Sequence, residues 1–373
     1  MSLPPILTTT AQVAEFAAEL EKHSVIAVDL EADSMHNYRE KVCLLQFSTP
    51  EKTVLIDPLA GADLSLLQPI LADPQVRKIF HAADYDIRCL ARDFAIEING
   101  LFDTMISSQF LGEEKFGLAD VLRKYFAVEL DKQYQRADWS KRPMSEGMIR
   151  YAAEDTSHLH GLVAELEGQL REKGRLEWVQ EECTLLEKVR FAVHEGPLFL
   201  RSKGAGTLDR RQLAVLENLL QWRDSEAQRR DCPLYKVLGN KSLLQLAKLQ
   251  SLDRKKLSAV EGLSPRLIDR YGGKILCAVG LALDLPETDL PVYPRAARRM
   301  KDPQVEKRMS QLKDWRKKVA VQLELDPGVL INNALLDELA RKQPRVEQDL
   351  GEISLLKNWQ RKVLGEGILR TLN

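Results

Sequence analysis

The sequence predicts an α/β domain with a mixed sheet and flanking helices, followed by two small all-α domains. Three observations carry this. Strand-like and helix-like stretches alternate through the first hundred or so residues, purely helical periodicity follows from Leu118, and two breaks, one with a proline and three glycines and one with four prolines, divide the helical remainder.

Residues 10–22 pattern as a helix. VIAVDLEA (25–32) is β-branched and alternates apolar with acidic residues after Val28, which predicts the first strand. KVCLLQFST (41–49) and KTVLIDP (52–58) predict two more, joined through Pro50 in a hairpin-like start, and LSLLQPILAD (64–73) reads as a short amphipathic helix. RKIFHA (77–82) is a short buried strand opening into the helix DYDIRCLARDF (84–94). IEINGLFDTMISSQFL (96–111) gives another strand-to-helix pair. Beyond it, LADVLRKYF, MIRYAAEDTSHLHGLVAELEGQL and WVQEECTLLEKVRFAV place apolar residues three and four apart. The breaks are GPLFLRSKGAGTLDRR and LDLPETDLPVYPRAARRMKDP, so the expected domains are residues 1–200, 207–285 and 300–373. The last two resemble each other. At one offset of 93 residues Trp222 meets Trp315, Arg223 meets Arg316, Ala227 meets Ala320, Asn240 meets Asn333, Leu243 meets Leu336, and Leu246-Ala247 meets Leu339-Ala340. Identities at one offset that include two tryptophans point to duplication.

With 44% hydrophobic and 29% charged residues, the chain has apolar material for well-packed cores. MSLPPILTTT lacks a basic segment followed by an apolar one, and no run approaches the roughly 18 apolar residues of a membrane span. Secretion and membrane spanning are excluded, and a cytoplasmic location is expected. Five cysteines without a C-x-x-C pair indicate neither a disulfide framework nor a zinc site, and read as core fillers. The net charge of −1 hides an asymmetry. Residues 201–373 carry 33 Lys+Arg against 22 Asp+Glu, a balance of +11, leaving 21 basic and 33 acidic residues, −12, for residues 1–200. An acidic module that collects cations beside a basic one that collects phosphates would need such opposite fields.

Asp29 and Glu31 stand two apart on a strand, so both side chains point to one face. Two carboxylates that close raise each other's proton affinity unless a hard divalent cation lies between them, although a D-x-E strand end meeting solvent reads the same. Asp84 and Asp86 fall in the first turn of a helix, where either could simply answer the helix dipole. Tyr151 and Asp155, four apart, share a helix face.

Together, Asp29 with Glu31, Asp86, and Tyr151 with Asp155 resemble, in order and spacing, the three motifs of DEDD-superfamily 3′→5′ exonucleases, in the tyrosine branch. VIAVDLEADS, CLLQFST, FHAADYDIRCL, LFDTMISSQFL, LDKQYQRADWSKRPM and YAAEDTSHL are similar to ribonuclease D segments. The stretch from Trp222 to about Leu276, and its second copy, resemble the HRDC helical module, so the likeness covers nearly the whole chain. It implies a ribonuclease H-like sheet. It also selects Asp86, five residues after His81, over Asp84. Ala82 stands where many superfamily members carry Asn, as in ribonuclease D, and Arg150 stands where the histidine branch needs His.

The resemblance implies that Asp29, Glu31, Asp86 and Asp155 hold two divalent ions, Mg²⁺ or Mn²⁺, with Asp29 bridging and Tyr151 orienting the attacking water. It further implies RNA with a free 3′ end, precursor tRNA trailers above all, as substrate. No obligate protein partner is indicated. Gln46, Trp139 and Arg142 fall in family-like segments and are candidate substrate contacts; with Asp103 they could equally serve the core or position other groups. His81 and His158 read as structural. Arg254-Lys255-Lys256, Arg295 to Lys301 and Arg316-Lys317-Lys318 are candidate phosphate grips or ordinary solvated faces. Two alternatives remain: a DNA-directed 3′→5′ exonuclease with the same site, and a nucleic-acid-binding scaffold whose exonuclease domain is inactive.

Overall fold

The computed structural model describes residues 3–192, 195–249, 253–294 and 302–373. The α/β part runs β1 (Ile6–Leu7), α1 (Thr10–Leu20), β2 (Val25–Ala32), β3 (Val42–Ser48), β4 (Thr53–Ile56), α2 (Gln68–Ala72), β5 (Arg77–Phe80), α3 (Asp84–Phe94), β6 (Leu101–Asp103) and α4 (Thr104–Leu111). Four helices follow: α5 (Leu118–Phe126), α6 (Glu146–Ser157), α7 (Leu159–Glu172) and α8 (Leu176–Leu186). The first helical block comprises α9 (Arg210–Arg229), α10 (Leu234–Val237), α11 (Asn240–Ala247), α12 (Arg254–Leu257) and α13 (Pro265–Leu283). The second comprises α14 (Pro303–Leu323), α15 (Pro327–Leu330), α16 (Asn333–Lys342), α17 (Glu347–Gly351) and α18 (Asn358–Leu372).

The sheet is mixed, in the order β1-β4-β3-β2-β5-β6. β2, β3 and β4 pair antiparallel, as the hairpin-like start predicts, while β5, β6 and β1 join parallel to their neighbours. β1 was not foreseen, because two residues are too few to display an alternation. Every residue of β3 is buried, so both faces of the sheet centre are covered.

The chain forms two compact units, neither of them continuous in sequence. One comprises residues 1–32, 42–191 and 300–373; the other comprises 33–41 and 192–299. In the first, the second helical block shares a hydrophobic core with the exonuclease-like part. Trp359 of α18 stacks on Trp178 of α8 at 4.9 Å and 14°, and the Phe110 ring meets both edge-on. Polar bonds lock the seam: Trp359 Nε1 donates to Glu182 (2.8 Å), and Arg175 donates to the carbonyls of Phe110 (2.8 Å) and Leu323 (2.5 Å). A division at breaks rich in glycine and proline gives no hint of this reunion, because linker composition marks where a chain is loose and not what its ends touch.

In the second unit, residues 33–41, from between β2 and β3, are built into the first helical block. The Tyr38 hydroxyl donates to Asp224 (2.8 Å), Tyr38 N–H donates to Asp231 (3.1 Å), the Tyr235 hydroxyl donates to the Met35 carbonyl (2.9 Å), and the Tyr38 ring packs on the block's core.

The two blocks repeat one internal stitch. Arg223 Nη1 donates to the Leu238 carbonyl (3.0 Å) and Asn240 Oδ1 (2.7 Å). Arg316 Nη1 donates to the Ile331 carbonyl (2.6 Å) and Asn333 Oδ1 (3.2 Å), with all three residues displaced by 93. A shared polar contact inside each copy is independent of heptad bias and supports duplication.

Cys43, Cys89, Cys183 and Cys232 are buried free thiols, as core fillers should be, whereas Cys277 is exposed. Among the described residues no helix is long and apolar enough to cross a membrane.

Candidate active site

The register of β2 with β3 sets Asp29 opposite Gln46 and Glu31 opposite Leu44, and it slips between Glu31 and Ala32. Directly opposed residues share a sheet face, so Asp29, Glu31, Leu44, Gln46 and Ser48 lie on one side. α6 covers that side. Leu44 packs in one cluster with Met148, Ile149 and Ala152, and the Ser48 hydroxyl lies 2.7 Å from that of Thr156, next to Asp155. His160 of α7 adds a bond to the Ser48 carbonyl (2.8 Å).

α6 begins at Ser145, whose side chain accepts from Met148 N–H (3.3 Å). The i, i+4 spacing then presents Tyr151 and Asp155 together. Tyr151 is flanked by the rings of Tyr134 (6.1 Å) and Trp139 (6.0 Å).

The turn from β5 into α3 passes through Ala82 at φ 68°, a left-handed conformation costly for alanine. Asp103, fully buried, holds it there. Its carboxylate accepts from the N–H groups of Ala82 (3.2 Å) and Ala83 (2.8 Å), and also from Met105 (2.8 Å) and Ile106 (3.1 Å) as the cap of α4. Of its two readings, the positioning one fits: it sets the angle at which α3 leaves the sheet. The two acids of that helix then part company. Asp84 is exposed and forked to Arg88 (2.8 and 2.9 Å), which lowers its proton affinity, whereas Asp86 is buried.

Four carboxylates lie close enough to act on one another, Asp86 buried and Asp29, Glu31 and Asp155 half-buried. Burial pushes Asp29 up to about 7, against a lowering by the Leu30 backbone. Glu31 is raised well above its usual range by burial and then by the charges of Asp29, Asp155 and Asp86. Asp86 is likewise raised, by burial and Asp29 foremost, and Asp155 is pushed up to about 9 by burial, Asp29 and Glu154. Burial, then Asp155, Glu31 and Asp29, raise the Tyr151 phenol far above its ordinary value. The donor set is all oxygen, and its carboxylates raise one another's proton affinity, which suits a hard divalent cation. Among the described residues no three His, Cys, Asp or Glu side chains already close on one point. Like charges without a cation have no reason to do so. Beside Tyr151 and Asp155 opens a cavity of about 160 Å³, walled by residues 117–120 and 130–135.

Gln46 and Trp139 are buried. Arg142 spends all five N–H donors on Asp57 (2.6 and 2.7 Å) and on the carbonyls of Trp139, Lys141 and Cys43. Asp57 escaped the sequence reading; Pro58 after it, marking a capped turn, was the available signal. His81 is bonded through Nδ1 to Thr104 (2.9 Å), and His158 lies at the α6–α7 junction. Arg316 is committed to its own fold, and residues 295–301 lie outside the described residues.

A 3′-5′ exonuclease family model matches residues 4–171, and the HRDC domain model matches twice, at 212–279 and 305–372. The ribonuclease D of Gluconacetobacter diazotrophicus is 31% identical over 98% of this chain and 92% of its own length. The chain belongs to the ribonuclease D family. Ribonuclease D of Granulibacter bethesdensis is 29% identical over 99% of this chain and 93% of its own. Among solved structures, Escherichia coli RNase D, described as an exoribonuclease involved in structured RNA processing, superposes with a TM-score of 0.75 at 27% identity, covering 100% of this chain and 99% of that one. The catalytic core of Trypanosoma brucei RRP6 gives 0.64 at 30%, covering 75% and 79%. This ribonuclease D family member is a 3′→5′ exoribonuclease with a ribonuclease H-like domain and HRDC helices, and exonucleases of its carboxylate type depend on metal ions.

Proposed function

We propose that this exoribonuclease removes nucleotides singly from free RNA 3′ ends, with precursor tRNA trailers as its substrate, and releases nucleoside 5′-monophosphates. The observation that carries the reading is the gathering of four mutually repelling carboxylates, Asp86 buried and Asp29, Glu31 and Asp155 half-buried, beside the Tyr151 phenol. Asp29, Glu31, Asp86 and Asp155 would hold two divalent ions, Mg²⁺ or Mn²⁺. When bound, the ions supply the positive charge that acidifies the attacking water and offsets charge on the departing 3′-oxygen. Asp29 acts on each of the other three acids, which suits it to serve both ions. Glu31 and Asp155 would help hold the ion that acidifies the water, and Asp86 the ion that offsets charge on the leaving oxygen. The phenol of Tyr151, raised far above neutrality, stays protonated and holds the water by a hydrogen bond without acting as a base.

Tyr151→Phe is expected to lower turnover about a hundredfold or more while Mn²⁺ titration calorimetry gives an unchanged affinity. Loss of metal binding in this variant would make Tyr151 structural. The substrate assignment is tested by degradation of a 3′-extended tRNA, a single-stranded RNA and a DNA of the same sequence, each with and without Mg²⁺ or Mn²⁺. Preference for the extended tRNA is expected; equal or faster degradation of the DNA would overturn it.

Gripping of phosphates is assigned to the basic HRDC blocks, where Lys255, Lys256, Lys317 and Lys318 stand on α12 and α14. Replacing these four by alanine should flatten the dependence of log K on log salt by up to about one unit per lost duplex contact. An unchanged slope would remove these lysines from the RNA interface.

A further inference from the structure

Gln46 is fully buried, and neither polar atom of its side-chain amide has a hydrogen-bond partner. Among the described residues no other side chain has two such orphaned atoms. A buried donor and acceptor left unmade cost free energy that a leucine of similar volume would avoid, so an unpaired amide needs a task that the resting structure does not show.

Its place in the sheet says which task. Gln46 stands directly opposite Asp29, and cross-strand partners on one face bring their Cβ atoms to within about 5 Å. Three other neighbours on that face offer the amide no free partner. Leu44 is apolar, and Ser48 is held between Thr53 and Thr156 at 2.7 Å from each hydroxyl. Ala152 of the covering helix has no polar side-chain atom. Full burial also bars contact with RNA.

Resting on the metal-site reading above, we propose that Gln46 is a positioning residue for Asp29. In the loaded site its Nε2–H group donates to the Asp29 carboxylate and fixes the orientation in which that carboxylate meets its ligands. A neutral donor suits this purpose, because it orders the carboxylate without cancelling the negative charge that attracts cations. A lysine there would do the opposite.

The test uses the full chain, with Gln46→Leu and Gln46→Met as variants, Asp29→Asn as reference, and Mn²⁺ alone as the probe. Calorimetry should give a 10- to 100-fold weaker Mn²⁺ affinity for both Gln46 variants, in the range typical of residues that orient metal ligands. The metal-free Tm should stay level or rise, because an unpaired amide has been replaced by apolar atoms. In steady-state assays at saturating Mn²⁺, kcat should fall and KM for a short oligonucleotide should hold. Mn²⁺ affinity within twofold of wild type in both variants overturns the proposal, as does a fall in affinity that tracks a fall in metal-free Tm, the mark of a packing role. If Asp29→Asn abolishes Mn²⁺ uptake while the Gln46 variants bind normally, the metal-site reading stands and the positioning role alone fails. A wild-type protein that takes up no Mn²⁺ overturns both.

Discussion

Asp29→Ala is expected to lower hydrolysis by at least about a thousandfold, the scale on which removing one member of a concerted active-site set acts. The metal-free protein should at the same time be as stable as wild type or more so, because one of four mutually repelling acids has been removed. Asp155→Ala should behave alike. Asp84→Ala, which loses an exposed pair with Arg88, should change the rate by no more than a few-fold. Near-wild-type activity in the first two variants, or equal losses for Asp84→Ala and Asp86→Ala, would overturn the assignment.

The same acids set a pH dependence. A carboxyl whose proton affinity rises on folding stabilises the fold while protonated. That contribution is complete below the unfolded value of 3.8 and is lost as pH rises through the folded values, about 7 for Asp29 and about 9 for Asp155. Metal-free protein in EDTA should therefore lose Tm between pH 5 and 9, Asp29→Asn should lose less, and added Mn²⁺ should remove the slope. A Tm in EDTA that is flat across this window would show that the acids are not coupled to folding.

Trp359→Ala should cost about 3–5 kcal/mol, the usual price of truncating a buried tryptophan. At about 2–4 °C per kcal/mol for a unit of this size, Tm should fall by roughly 6–20 °C. Trp359 is 3% exposed, stacks on Trp178, meets Phe110 edge-on and donates to Glu182, so truncation opens a cavity and removes one bond from a carboxylate that keeps Lys357. Deleting residues 300–373 should go further and abolish cooperative unfolding of the exonuclease unit, because Leu312, Leu336, Leu339, Trp359 and Ile368 belong to its core. A fragment of residues 1–299 that unfolds cooperatively and degrades oligonucleotides at the wild-type rate would refute this. The −12 balance of residues 1–200 invites separating them as a catalytic half, but the apolar packing of α14 and α18 argues against it.

Much of the fold was legible because its signals are local. The β-branched run 25–32 and the helical spacing of apolar residues after Leu118 each depend on a few neighbouring residues, and the 93-residue offset needs only the chain compared with itself. Spacing offered Asp29 with Glu31 and Tyr151 with Asp155 beside blander readings, while joining them into one site and choosing Asp86 over Asp84 needed family resemblance; Arg88 on Asp84 and burial of Asp86 now give that choice a physical basis. What stayed hidden is long-range. That Tyr38 would dock on Asp224, or Lys357 on Glu182, has no trace in either segment by itself. Gln46 and Arg142 were noticed as polar residues near motifs, but burial and saturation of their donors appear only when distant strands and loops meet.

The order of synthesis gives the split unit a further meaning. Residues 192–299 leave the ribosome after the sheet and before α14, and together with residues 33–41, made long before, they constitute a whole unit. At about 5–20 residues per second, the last 74 residues take roughly 4–15 s to appear. During that interval Phe110 and Trp178 await the tryptophan that covers them. The nuclease core is thus finished last, by the second copy of a duplicated module, and a ribosome that stops short of α18 leaves that core open.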